Sequence, residues 1–240
     1  MSKMRNCFTL IAALAVALVA RAGADDSVTC QQTDEILAEL RQIRKLLENR
    51  PDMQAQPTTA RIDVAAAPFL GSKDAPLTIV QFTDYQCQFC QRFHQQTFQD
   101  LKKHYIDSGK VRFYSLDLPL VDIHQNALLA AQAGRCAQDQ GQFWAMHDQM
   151  QANPEKLEMA KLVEYAQESG IDVAAFRQCV ESGKYKEDVQ QGARDATTKG
   201  VRGTPAFITG KSTPFGVEGE LVMGAVPYGL FEKKVKELAP

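Results

Sequence analysis

Cys87-Gln88-Phe89-Cys90 sets two thiols two residues apart, directly after the apolar run Leu77-Thr78-Ile79-Val80-Gln81-Phe82. Such spacing at the start of a helix lets two sulfurs close a short disulfide. The first thiolate meanwhile faces unpaired backbone N–H groups and the positive end of the helix dipole. A thiolate held at low pKa is a good leaving group, so the chemistry that fits is thiol-disulfide exchange. The surroundings agree. The run after Pro76 is rich in β-formers, and Gln91 to Ser108 reads as a helix with Phe93, Phe98, Leu101 and Tyr105 on one face. Zinc is the competing reading, with His94 one turn after Cys90. Cys136, Cys179, His104, His124 and His147 supply no second pair at metal-like spacing, so redox chemistry is preferred and no resident metal is expected.

Phe82-Thr83-Asp84-Tyr85-Gln86-Cys87-Gln88-Phe89-Cys90, answered downstream by Gly200-Val201-Arg202-Gly203-Thr204-Pro205, resembles the DsbA-like thiol:disulfide oxidoreductases. The resemblance implies an α/β, thioredoxin-like fold with an inserted helical domain, spanning 62–240 with the insertion at about 122–199. It implies Cys87 as the exposed nucleophile and Cys90 as the buried resolving thiol. Pro205 would be a cis-proline facing the pair, and Thr204 would offer backbone groups to an extended substrate, with Gln88 and Phe89 flanking it. The redox-active disulfide would itself be the cofactor. Two positions depart from the family pattern. Gln81 stands where such proteins often carry a buried acid, and an amide cannot take a proton. Gln88-Phe89 replaces the Pro-His of strongly oxidising members, which removes an imidazolium and leaves the helix terminus as the main support of the Cys87 thiolate. A weaker oxidant, nearer an isomerase, is expected.

Lys3 and Arg5, the apolar run Phe8 to Ala20 and Ala22-Gly23-Ala24 read as a signal peptide over 1–24. Export to a periplasm is therefore expected. The mature chain then carries Cys30, Cys87, Cys90, Cys136 and Cys179. Cys136 and Cys179 fall in helix-like segments of the insertion, and a disulfide between them is preferred over two free thiols in an oxidising compartment. It would restrict the unfolded chain by roughly 4 kcal/mol. Cys30 is left over, for pairing between subunits or as a free thiol.

From Thr33 to Asn49 there is no Gly or Pro, and Ile36, Leu40, Ile43 and Leu47 recur at coiled-coil spacing. A helix this short is marginal alone. Residues 25–50 are accordingly read as an oligomerisation helix, a dimer favoured through 33–49, with a Pro, Gln and Thr linker over 51–61.

A net charge of −2 with interspersed signs excludes a basic nucleic-acid surface. Val111 to Leu116 is expected as a strand. Helices are expected around Ala127–Ala133, Phe143–Met150, Lys156–Glu168 and Val173–Val180. Ala206–Thr209 and Glu220–Met223 are expected to pair across a glycine-containing loop, and Tyr228–Leu238 to close the chain as a helix. His124 and His147 read as surface or core histidines on helices, and Phe143, Trp144 and Met146 as packing. The function expected is an exported enzyme forming or isomerising disulfides in unfolded or misoxidised proteins, recharged by a membrane thiol-redox partner that sets the direction of electron flow. A copper-handling or chaperone-like holder using the same cysteines, and a structural exported protein with an inert CxxC bridge, are the alternatives.

Overall fold

Leu77–Thr83 forms the central strand of the sheet, and all seven of its residues are buried. A strand covered on both faces needs β-branched and aromatic side chains at every position, and Leu-Thr-Ile-Val-Gln-Phe-Thr supplies them with two threonines and one amide interposed. The computed structural model describes residues 30–48, 59–64, 67–214 and 216–239. In chain order the elements are α1 (Cys30–Glu48), β1 (Thr59–Asp63), β2 (Phe69–Leu70), β3 (Leu77–Thr83), α2 (Gln88–Phe93), α3 (Gln99–Leu101), β4 (Val111–Asp117), α4 (Ala127–Gln138), α5 (Phe143–Ala152), α6 (Met159–Glu168), α7 (Val173–Glu181), α8 (Lys186–Thr198), β5 (Ala206–Thr213), β6 (Gly216–Met223) and α9 (Tyr228–Leu238). The signal-peptide reading of 1–24 and most of the expected linker lie outside the described residues.

The sheet runs β1-β6-β5-β3-β4-β2. Only β3 and β4 are parallel, and parallel neighbours require a crossover. That crossover is the helix that starts at the CxxC. Helical backbone continues from Gln88 to Ile106, but two five-residue stretches, His94–Phe98 and Lys102–Ile106, are wide π turns. Gly109, at φ 73°, then reverses the chain into β4.

Several elements differ from expectation. Thr59–Asp63 pairs antiparallel with Glu220–Gly216 of β6, so residues 59–61 of the expected linker are strand. Ala60 and Ile62 point inward while Thr59, Arg61 and Asp63 point out, a two-residue period too short to register beside a Pro- and Gln-rich stretch. The hairpin strands extend to Thr213 and back to Gly216, through Gly210 and Gly219, which sit opposite each other. A Cβ on Gly210 would stand 2.1 Å from the Glu218 carbonyl oxygen, so these glycines permit close strand approach rather than a loop. Helix α6 starts at Met159, not Lys156. Helix α8 was not singled out because it buries only Val189 and Ala196. His124 lies on no helix but in the loop after β4.

Three apolar clusters hold the larger unit of the chain together. One lines the sheet face under α2 and α9, with Phe93, Phe98, Leu101, Phe113, Phe207 and Phe231. Phe93 alone contacts four of the other phenylalanine rings at centroid distances of 4.5–6.5 Å. Truncating it to Ala would cost about 3–5 kcal/mol. The opposite face packs Val80, Phe82, Ile208 and Val217 against Ala196 of α8. The third cluster is the interior of the insertion, α4 to α7, into which Tyr85 projects from the turn before the CxxC. Helix α1 belongs to a separate unit and carries Ile36, Leu37, Leu40 and Ile43 at 42–55% exposure. No helix among the described residues is long and apolar enough to cross a membrane.

Candidate active site

The turn Asp84-Tyr85-Gln86 delivers the chain from β3 into α2, and all three of its side chains are anchored. Asp84 Oδ1 accepts the Gln86 amide at 2.8 Å, closing an Asx turn. Its Oδ2 accepts the Leu120 amide at 2.8 Å and lies 2.8 Å from His124 Nδ1, while its carbonyl accepts the Cys87 amide at 3.1 Å. Tyr85 is 1% exposed inside the insertion core. Gln86 Oε1 accepts the Asn126 amide at the entry to α4.

Cys87 is the N-cap of α2, with extended backbone. Its sulfur lies 3.4 Å from the carbonyl oxygen of Thr204, and the Thr204–Pro205 peptide is cis. The pair is in its dithiol form. The Cys87 thiol is lowered from the ordinary value to about 5, first by a hydrogen bond from the Cys90 thiol, then by the Thr204 side chain and the amides of Cys90 and Phe89, against the opposing effect of burial. The helix terminus is therefore a contributor rather than the main support. The Thr204 hydroxyl is buried without a hydrogen-bond partner, available to a Cys87 thiolate, and the Thr204 carbonyl accepts from the Cys87 thiol. Cys90, fully buried, is pushed well above the usual thiol range by desolvation and by Cys87, partly offset by the Asp84 amide and the Thr83 hydroxyl. Thr83 Oγ1 in turn accepts from Gln151 Nε2 of α5 at 2.9 Å.

The residue expected as an exposed nucleophile, Cys87, is only 5% exposed, because its sulfur is tucked between Cys90 and the Thr204 carbonyl. The residues beside it are open: Phe89 is 45% exposed with the Arg92 guanidinium 5.3 Å from its ring centroid, and Gln88 is also exposed. Pro205 is held by its carbonyl accepting the Gly224 amide at 2.7 Å. Gln81 is 2% exposed within β3, in register with Ser115 and Phe207. Cys136 and Cys179 are joined by a disulfide between α4 and α7. Thr83, Asp84, His124 and Gln151 were not picked out as site residues from sequence. The legible signal was Asp84-x-Gln86 just before the first cysteine, an Asx-turn pattern.

Further along the same helix, His94 comes close to His147 and Asp148 of α5. Burial and the His147 ring hold the His94 imidazole down at about 4, with Asp148 opposing.

The thioredoxin family profile matches residues 64–213. A probable disulfide bond formation protein D of Bacillus anthracis is 30% identical over 149 residues, covering 59% of this chain and 69% of that protein. The Na(+)/H(+) antiporter NhaA 3 of Salinispora tropica is 33% identical over 138 residues, 58% of this chain. The chain spans about a fifth of the length of that antiporter (21%). The crystal structure of Wolbachia pipientis alpha-DsbA1 superposes with a TM-score of 0.65 at 22% identity, over 72% of this chain and 91% of that one. With that profile match and with the Thr204–Pro205 segment set against Cys87 and the buried Cys90 on one helix start, the chain belongs to the thioredoxin family and is a DsbA-like member of it.

Proposed function

We propose that the protein is an exported thiol-disulfide oxidoreductase that forms or isomerises disulfides in other proteins through Cys87 and Cys90. The observation that carries this reading is the placement of the pair, with Cys87 at the start of α2 and its sulfur 3.4 Å from the Thr204 carbonyl, and Cys90 fully buried behind it, an arrangement that lowers the Cys87 thiol and raises that of Cys90. In the oxidised enzyme a substrate thiolate attacks the Cys87 sulfur and breaks the Cys87–Cys90 bond. Cys90 leaves as a thiolate and takes up a proton. A second substrate thiolate then attacks the substrate sulfur of the mixed disulfide, and Cys87 departs as a stabilised thiolate. The substrate loses two electrons and the enzyme gains them. Leaving is fast because the departing thiolate is weakly basic. Thr204 supports the step by donating to the thiolate, and Phe89 offers an apolar rim for the substrate chain.

The reading extends to a periplasmic location after removal of residues 1–24, no cofactor beyond the redox-active pair, and a membrane partner that resets it. Self-association through 33–49 is supported by the bare stripe of Ile36, Leu37, Leu40 and Ile43. Paired active sites favour isomerisation, since reshuffling requires the substrate to be retained after the first attack.

The test is the reduction potential of the pair against glutathione in a Cys30→Ser background. A value on the order of −180 to −120 mV supports an oxidase or isomerase, and one near roughly −270 mV makes the protein a reductant and overturns the reading. Sedimentation of Cys30→Ser with and without Leu40→Glu tests the oligomer. A species that becomes monomeric only with the glutamate is expected.

A further inference from the structure

We propose that His94, His147 and Asp148 form a binding site for a divalent first-row transition-metal cation, zinc being the ion their nitrogen and oxygen donors fit, separate from the Cys87–Cys90 pair. Each residue offers one ligand atom, and all three atoms lie within 4.8 Å of one another. Asp148 Oδ1 is 3.1 Å from His147 Nδ1 and 3.7 Å from His94 Nε2. Around a tetrahedral ion with bonds of roughly 2.0–2.2 Å, donor atoms stand roughly 3.3–3.5 Å apart. These two distances straddle that spacing, and the His94 and His147 donors lie within 4.8 Å of each other, so closure on an ion would draw the two imidazoles together around the carboxylate.

A hydrogen-bonded cluster without an ion satisfies these groups poorly. If His147 Nδ1 carries the proton and donates to Asp148, then Nε2 presents a bare lone pair in a closed aromatic setting. His147 is 1% exposed, its Nε2 has no partner, and its ring is flanked by Tyr85, Phe98, Phe143 and Trp144. If the proton sits on Nε2 instead, the Nδ1 lone pair points at a carboxylate oxygen. The 3.7 Å between His94 and Asp148 is too long for a hydrogen bond. A cation between His147 Nδ1 and Asp148 Oδ1 would take up the Nδ1 lone pair and the carboxylate charge and draw in His94 Nε2, with the proton of His147 left on Nε2 among the aromatic rings.

The burial gradient gives an entry path. The His147 and His94 side chains are 2% and 12% exposed, whereas Asp148 is 58% exposed. An ion would enter past the carboxylate and keep water on that side. Imidazole and carboxylate select borderline to hard divalent ions, unlike the soft thiolates of the CxxC, which select Cu(I). The two histidines also come from different parts of the fold. His94 opens the π turn that follows Cys90, and His147 sits on α5 of the insertion. A bound ion would staple the redox helix to the insertion.

The experiment uses the full chain carrying Cys7→Ser, Cys30→Ser, Cys87→Ser and Cys90→Ser, so that no thiol competes and the outcome is independent of the proposed exchange activity. Zinc is titrated by calorimetry, and Co(II) by visible absorption. One equivalent of zinc is expected, with a rise in Tm that grows with zinc concentration and cobalt bands of four-coordinate nitrogen-oxygen ligation. Asp148→Asn, at an exposed position, keeps the fold, and His94→Gln removes a ring nitrogen. Each is expected to weaken binding by more than the roughly 10–100-fold that loss of an outer-shell partner costs. Absence of zinc binding in the parent, or Asp148→Asn binding zinc as tightly as the parent, overturns the proposal.

Discussion

Cys87–Cys90 and Cys136–Cys179 are the same two-thiol chemistry in opposite settings. The first pair caps a helix start, where two amides, a threonine hydroxyl and the second thiol converge on one sulfur and split the two titrations apart. The second joins α4 to α7 across 43 residues of sequence, with Cys136 1% exposed among alanines and methionines. Asp139 Oδ2, at 3.9 Å from the Cys179 sulfur, disfavours a thiolate there. Reactivity comes from donors aimed at the sulfur, and stability comes from the length of chain that a bridge closes.

Breaking each pair separates these roles. Cys87→Ser should reduce exchange with a model dithiol to the background rate while leaving thermal unfolding close to that of the reduced parent below about pH 5, where the thiolate adds no stability. Replacing both Cys136 and Cys179 by Ser should do the reverse, lowering unfolding free energy by about 2–4 kcal/mol in denaturant melts with exchange largely retained. Asp84→Ala lies between the two. It orphans the Leu120 and Gln86 amides, so a loss of about 1–3 kcal/mol is expected, together with slower exchange, because the Asx turn that leads the chain into Cys87 loses its carboxylate. The smallest effect concerns Thr204→Val, which removes one donor. The Cys87 midpoint, followed by thiolate ultraviolet absorbance, should rise from about 5 by less than about one pH unit. The sign follows from linkage. A thiol lowered in the folded, reduced state adds stability in full only above its unfolded pKa of about 8.5, and that stability falls away as pH drops through about 5. Reduced Cys87→Ser protein should show a flatter profile over that window.

Much of this was legible before any coordinates. The CxxC after a buried strand, the downstream Gly203-Thr204-Pro205 and the terminal helix Tyr228–Leu238 are carried by local patterns, and each stands where its pattern put it. What escaped depends on partners far away in sequence. Thr59–Asp63 is a strand because β6 offers it an edge, and its alternation alone is too brief to show this. Gly210 and Gly219 look like loop residues until their strands are seen in contact. The roles of Thr83 and Asp84 require Gln151 and the Leu120–His124 loop, 36 to 68 residues away. His124 reads from sequence as the start of the helical region, yet its imidazole lies 2.8 Å from the buried Asp84 carboxylate in the loop after β4.

The helix that begins at the thiol pair is not a uniform screw. Each of its two wide turns, His94–Phe98 and Lys102–Ile106, takes up a residue more than an α turn would. Angular phase is therefore reset between the sulfur-bearing end and the end that meets Gly109. The first turns can orient Cys90 and His94 without regard to how Leu101 and Ile106 must face the sheet. Like a coupling between two shafts, the wide turns let the reactive end and the packed end be indexed separately, and a single-residue deletion inside either turn is a natural way to re-time one against the other.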